Sequence, residues 1–224
     1  MKKSLLMISY MLIFITCTSS VDKQKYMEER LKKVNVEYQQ DIKESQIPMN
    51  LLDHFPHNIK YMPVSREKSY ATSNKRISYM LFEYNVPRVI LDSISNHYTK
   101  AAIQISSGNA SNLYIVKSAL QIELYGETSL CKEGTIKSYP IPFFESKEFN
   151  SPEDVVTKED MYSKSNKSGL SDNFRIYVLG SESGNFREGL EPLEYMPKEW
   201  KNGYSRGVCL NKKLGVIIYW VIIW

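Results

Sequence analysis

Apolar residues crowd the two ends of the chain and follow regular periods between them. Near the start, Lys2 and Lys3 precede an apolar run from Leu5 to Ile15 that only Ser9 interrupts. As a helix that run covers about 16 Å, half of a bilayer's hydrocarbon, so it reads as the h-region of an export signal and not as a membrane span. At the far end, LGVIIYWVIIW follows Lys213 without a single charge. Extended, those residues cover roughly 36 Å, and their Val, Ile, Tyr and Trp content predicts a strand buried on both faces. Tyr204 to Leu210 predicts its partner, joined through Asn211, Lys212 and Lys213, so the chain is expected to finish as a hairpin inside its own core.

Between the ends, Met27, Leu31, Val34, Tyr38 and Ile42 recur at helical spacing within the charged stretch Val21 to Ile47. They form one stripe of an amphipathic helix, which either lies on the following domain or serves as a stalk. Pro48, Pro56 and Pro63 make the next stretch an irregular crossing. ISYMLFEYNV, Ile77 to Val86, is apolar at both alternating sets and predicts a central strand. Beyond Pro87 a helix is expected with Ile90, Ile94, Tyr98 and Ala101 on its inner face, then the loop SSGNASN and two short strands in NLYIVK and ALQIELYG. Lys132 to Asp172 is polar and proline-interrupted, an expected excursion over the surface with a short helix at SPEDVV, Ser151 being its cap. FRIYVLG, Phe174 to Gly180, predicts another strand. No repeat or linker divides the body. The expectation is an α+β fold, one domain over residues 48–224, with an antiparallel or mixed sheet, helices on one side and a buried C-terminal hairpin.

Composition narrows the function classes. The chain has 224 residues, 42% hydrophobic and 24% charged, which excludes collagen-like, low-complexity and wholly disordered proteins. Its formal charge of +4 is spread along the chain without a basic cluster, so nucleic acid is not an expected partner. An outer-membrane barrel would need many alternating segments of roughly ten residues, for which the charged helical stretches leave no room.

Candidate chemistry is sparse. His54 and His57 flank Phe55 and Pro56 beside Asp53, yet Pro56 prevents a helical pairing and no third ligand presents itself, so no metal is expected. The segment reads as a loop whose Phe55 anchors in the core while the histidines face water. GSESG, Gly180 to Gly184, carries Glu182 where a nucleophile elbow needs serine, and there is no phosphate-binding loop. No catalytic residue or cofactor is therefore named, and the balance leans away from an enzyme. Cys131 and Cys209 are either a candidate disulfide, closing a loop worth about 4 kcal/mol, or two separate buried thiols. Tyr195, Trp200 and Tyr204 in EYMPKEWKNGYSRG are the candidate ligand-binding rings, suited to stacking on a glycan or holding a peptide. The same three rings could instead fasten a Pro197-containing loop over the sheet.

Two resemblances bear on location. Phe14, Ile15, Thr16 and Cys17, followed by the small polar tract Thr18 to Ser20, resemble a bacterial lipoprotein signal in which Cys17 becomes the lipidated first residue. That processing implies removal of sixteen residues, Lys2 and Lys3 among them, which leaves 208 residues and a formal charge of +2. Acyl chains contribute about 0.8 kcal/mol per buried methylene, enough together for a lasting membrane tether. In addition IYVLGSESGNF, MPKEWKNGYSRGV and IIYWVIIW are similar to segments of uncharacterised Bacteroidales lipoproteins, most closely over the last fifty residues or so. With Thr18 after the cysteine, the resemblance implies an outer-membrane lipoprotein of the cell envelope. The functional expectation is a lipid-anchored binding or interaction module for a glycan or protein ligand, the alternative being a small envelope hydrolase acting on glycan or peptide.

Overall fold

A computed structural model describes residues 2–69, 76–117, 121–122, 138–144 and 168–224, with side chains from residue 22 onward. The chain forms two compact units. One is Met1–Glu44 with His57–Lys60, and the other is Ser45–Pro56 with Tyr61–Trp224. Among the described residues no helix is long and apolar enough to cross a membrane.

The first unit is helix α1, Lys2–Glu44, which continues through Cys17 and the polar tract behind it. The helix ends before the expected Ile47, because Gln46 adopts a positive φ of 59° and Pro48 has no N–H to continue the ladder. Asn35 clips the returning segment to the helix. Its amide donates to the Ile59 carbonyl at 3.0 Å and its oxygen accepts the Ile59 N–H at 2.7 Å, imitating a strand's paired bonds. Gln39 adds a bond to the His57 carbonyl.

The second unit is α+β. Its strands are β1 (Val64–Ser69), β2 (Ile77–Glu83), β3 (Gln104–Ser107), β4 (Ile115–Val116), β5 (Ile141–Pro142), β6 (Phe174–Ser183), β7 (Gly203–Asn211) and β8 (Val216–Ile223). Six of them build one antiparallel sheet in the order β1-β2-β8-β7-β6-β3, while β4 and β5 pair in parallel as a separate ribbon. The expected hairpin is β7–β8, and every residue of β8 is buried, as is Trp224 after it. Its connection uses Lys212 to Gly215, one residue group later than expected. Asn211 Oδ1 accepts the N–H groups of Lys213 and Leu214 at 3.0 Å each, and Gly215 supplies a φ of +68°. The central strand expected from Ile77 is β2, fully buried between β1 and β8.

Period two sorts the sheet into two faces. Met80, Phe82, Ile176, Val178, Cys209, Ile218, Trp220 and Ile222 belong to one core cluster with Leu113 to Val116, Ile141, Phe144, Leu170, Leu193 and Met196. Glu67, Met80, Trp220, Gly207, Val178 and Gln104 stand in one row across all six strands. The row works because Gly207 has no side chain. A Cβ there would lie 2.6 Å from the Trp220 ring and 2.1 Å from the Tyr177 carbonyl oxygen. One four-residue step along the hairpin, Gly203 stands beside Trp224 in the same way, its notional Cβ 3.0 Å from that ring. The backbones of Gly203 and Trp224 exchange both hydrogen bonds, at 3.0 and 2.9 Å.

Three expectations change. The described parts of the polar region, residues 138–144 and 168–172, are not a surface excursion: Ile141, Phe144 and Ser168 are fully buried. Ser168 is held by its hydroxyl, which donates to the Gly108 carbonyl at 2.7 Å and accepts the Leu170 N–H at 3.1 Å. Helix α2 spans Arg88–Ala101 as expected, but its fully buried residues are Leu91 and Ser95, and Ala101 is exposed. Ile90, Ile94 and Tyr98 are half-buried beside Leu91 and Ser95, and the Ser95 hydroxyl meets the Tyr177 hydroxyl at 2.9 Å. Strands β1 and β3 replace expected irregular chain; VSREKS and QISS are polar edge strands without an apolar period. The helix expected at SPEDVV and most of the strand expected at ALQIELYG lie outside the described residues, and the two described positions of the latter, Gln121 and Ile122, are helical instead of extended.

Gly207→Ala should lower the unfolding free energy by roughly 3 kcal/mol, since the added methyl meets both a backbone oxygen and a fully buried ring. Urea unfolding measures it, and a variant as stable as the parent would show that the seam tolerates a side chain.

Candidate functional site

The sheet face opposite the core cluster carries Tyr79, Leu81, Tyr219 and Val221 along β2 and β8, all buried, and Arg206, Tyr177 and Arg175 along β7 and β6. Leu51, Leu52 and Phe55 from the proline-rich crossing are buried, and the Phe55 ring sits 5.7 Å from Tyr79 and 5.8 Å from Tyr219. The anchoring expected of Phe55 is therefore found. The expected solvent-facing pair is not: His57 is exposed, but the His54 side chain retains only 4% exposure.

His54 is tied to the hairpin. Its Nε2 lies 3.1 Å from the Trp220 carbonyl, which only accepts, so Nε2 carries the proton and Nδ1 presents its lone pair to Arg206 Nη1 at 3.5 Å. Burial, then the Arg206 charge, pull the His54 pKa down to about 4, against smaller opposing effects from the Trp220 carbonyl and Asp53. Near neutral pH the imidazole is uncharged, so its 3.8 Å approach to Asp53 is not an ion pair. The ion pair at this place is Arg206 with Asp53. Arg206 reaches it by lying over Gly180, where a Cβ would come 3.0 Å from Nε. Both imidazole nitrogens are thus engaged, which makes the cluster a fastening between crossing and sheet.

Beside α2 the same face opens into a cleft of about 700 Å³. Helix α2 contributes Arg88, Ser95 and Thr99; β3 contributes Ile105 and Ser107; β6 contributes Arg175 and Tyr177; and Leu210, Lys212 and Lys213 close the hairpin side. Asp172 is the one acidic residue among the lining side chains. Ser107, Arg175 and Leu210 are direct cross-strand neighbours, so Arg175 stands on the floor between two strands. Arg88 and Lys212 are already matched: both reach the Asp92 carboxylate, at 3.2 and 2.8 Å, and the Lys212 bond is the main cause of a lowered Asp92 pKa. Arg175 and Lys213 have no side-chain partner among the described residues. Sequence reasoning missed this cleft. Its only trace was the alternation of Arg175 and Tyr177 against the apolar set of β6, with the Lys212–Lys213 pair at the turn.

The candidate rings do not converge. Tyr195 is clamped to the backbone of Lys117, its hydroxyl accepting the N–H at 2.8 Å and donating to the carbonyl at 2.9 Å. Trp200 lies over the core cluster, its ring 6.3 Å from Trp224 and 6.2 Å from Tyr139, and its carbonyl accepts the Trp224 indole N–H at 2.8 Å. Tyr204 alternates to the other face and meets Phe186 edge-on at 4.6 Å. Each ring has a packing contact, and together they form no common platform. Cys131 lies outside the described residues, while Cys209 is a free, fully buried thiol whose pKa burial pushes well up. Among the described residues no group of His, Cys, Asp and Glu is arranged to hold a metal ion. The Cys17 side chain is outside the described set.

No family model, curated protein or solved structure matches this chain.

Two outcomes follow from these contacts. Because the folded His54 pKa is about 4 against an ordinary 6.5, its contribution is fully present above pH 6.5. It is lost as pH falls toward 4, by about 3 kcal/mol in all. Urea unfolding at pH 7 and pH 4 should show that loss, and His54→Gln should reduce the difference between the two pH values; an unchanged difference would contradict a neutral, buried imidazole. Trp200→Ala should cost about 3 kcal/mol by thermal or urea unfolding, whereas a fully stable variant would return the ring to the list of ligand contacts.

Proposed function

We propose that this chain is a lipid-anchored cell-envelope protein of the Bacteroidales lipoprotein type whose α+β unit binds a ligand without transforming it. The anchor rests on Cys17 behind its apolar run and before Thr18. The binding role rests on one observation, the cleft beside α2, where hydroxyls of Ser95, Thr99 and Ser107 and two cations without a side-chain partner among the described residues line a space of ligand size. A hydrolase acting on glycan or peptide would need an acid, base or nucleophile free to reach a substrate. His54, whose pKa burial lowers far enough to suggest such work, has both nitrogens committed to the fold.

Metabolic labelling with a fatty acid should mark the full chain and fail on Cys17→Ala; labelling that persists in that variant contradicts the anchor. Binding is read as a thermal shift of the detergent-solubilised full chain against small anions, neutral sugars and short peptides. A ligand at 100 times its Kd adds about 2.7 kcal/mol of stability. A response that vanishes in Thr99→Trp, which sets a bulky ring into the cleft, supports the proposal, and a response indifferent to that change contradicts it.

A further inference from the structure

We infer that the cleft beside α2 receives a doubly charged oxyanion, a phosphate monoester in chemical class, with Arg175 and Lys213 as its recognition groups. The inference rests on the reading of that cleft as the binding site and adds the identity of the ligand's charged end.

Among the described residues, four cations and one carboxylate, Asp172, line the space. Two of the four are already engaged, since Asp92 takes both Arg88 and Lys212 and the Arg88 guanidinium also donates to the Lys212 carbonyl at 3.3 Å. Arg175 and Lys213 are the remaining pair, and both are exposed to the space they line. Neither of Arg175's direct neighbours across the sheet, Ser107 and Leu210, carries a charge that could pair with it. A guanidinium offers a planar fork of donors that fits two oxygens of one anion, and a lysine adds a point charge beside it. Set against the carboxylates of Asp92 and Asp172, the four cations leave a net charge of +2, which a phosphate monoester matches on a single group near neutral pH. A lone carboxylate would leave one cation unpaired. Helix α2 also begins at Arg88 with no side-chain cap, so the positive end of its dipole lies at the side of the cleft that Arg88 lines.

Such a group occurs free or as the headgroup of a lipid, and the two sources are separated by probe. Calorimetry on the detergent-solubilised full chain uses glycerol phosphate, with succinate as a dicarboxylate control. Flotation uses phosphatidylcholine vesicles with and without phosphatidic acid, and the Cys17→Ala chain so that no acyl anchor contributes. The expected result is binding of glycerol phosphate that weakens about tenfold in Arg175→Gln and in Lys213→Gln, more in the double variant, and is lost in Thr99→Trp. Flotation that depends on phosphatidic acid and on Arg175 assigns the group to a lipid; its absence, with glycerol phosphate bound, assigns it to a soluble ligand.

If succinate or a neutral ligand binds in a manner abolished by Thr99→Trp but untouched by the Arg175 and Lys213 changes, the cleft remains the site and the dianion assignment falls. Binding of succinate equal to that of glycerol phosphate overturns the phosphate class. If no probe binds, or binding ignores Thr99→Trp, both the assignment and the cleft reading fall together. Unfolding midpoints of the glutamine variants, expected within a few degrees of the parent because both side chains are exposed, guard against loss of fold.

Discussion

The contact on which the sheet depends is an indole laid over a missing side chain. Trp220 covers Gly207 and Trp224 covers Gly203, so two of the largest side chains fit on one face of two adjacent strands without spreading them. Neither residue type explains the arrangement alone. Glycine weakens a strand because it has nothing to bury, and tryptophan crowds one because it has too much; set across from each other they offset both defects. The repeat of four residues in each strand, 203 to 207 and 220 to 224, keeps both pairs on the same face and fixes the register of the hairpin.

The opposite face inherits its layout from that register. Alternation sends Arg206 and Leu210 away from the tryptophans and toward that face, where Gly180 makes room for the guanidinium. Asp53 and His54 are drawn onto the hairpin there, so the proline-rich crossing is held by an ion pair and by a neutral imidazole on the Trp220 carbonyl. On β6, Tyr177 of the same face bonds Ser95 of helix α2, and both residues line the cleft there.

How much of this was legible follows from where information resides in a sequence. The hairpin, β2, β6 and the extent of α2 were readable because continuous apolar runs bounded by Pro, Gly and Asn have few other solutions. Strands β1 and β3 were not, because VSREKS and QISS are edge strands whose identity comes from the neighbour they pair with. The buried face of α2 was misjudged by about one position, because the partner of Ser95 is a tyrosine distant in sequence that a helical period does not show. His54 was read as solvent-facing because its burial depends on Arg206 and Trp220, more than 150 residues away. The aromatic cluster Tyr195, Trp200 and Tyr204 was visible as a cluster in sequence, but strand alternation places Tyr204 on the face opposite the other two. The cationic cleft left almost no trace, since its residues come from α2, β3, β6 and the turn after β7.

The central claim, that the Trp-on-Gly seam of the β7–β8 hairpin organises the unit, is tested most directly by native-state hydrogen exchange. The amides of Val208 to Leu210 and Ile217 to Val221 should exchange only through global unfolding, with a free energy equal to that from urea, while edge strands β1 and β3 open at lower free energy. Hairpin amides that exchange at lower free energy than those of β1 or β3 would contradict it.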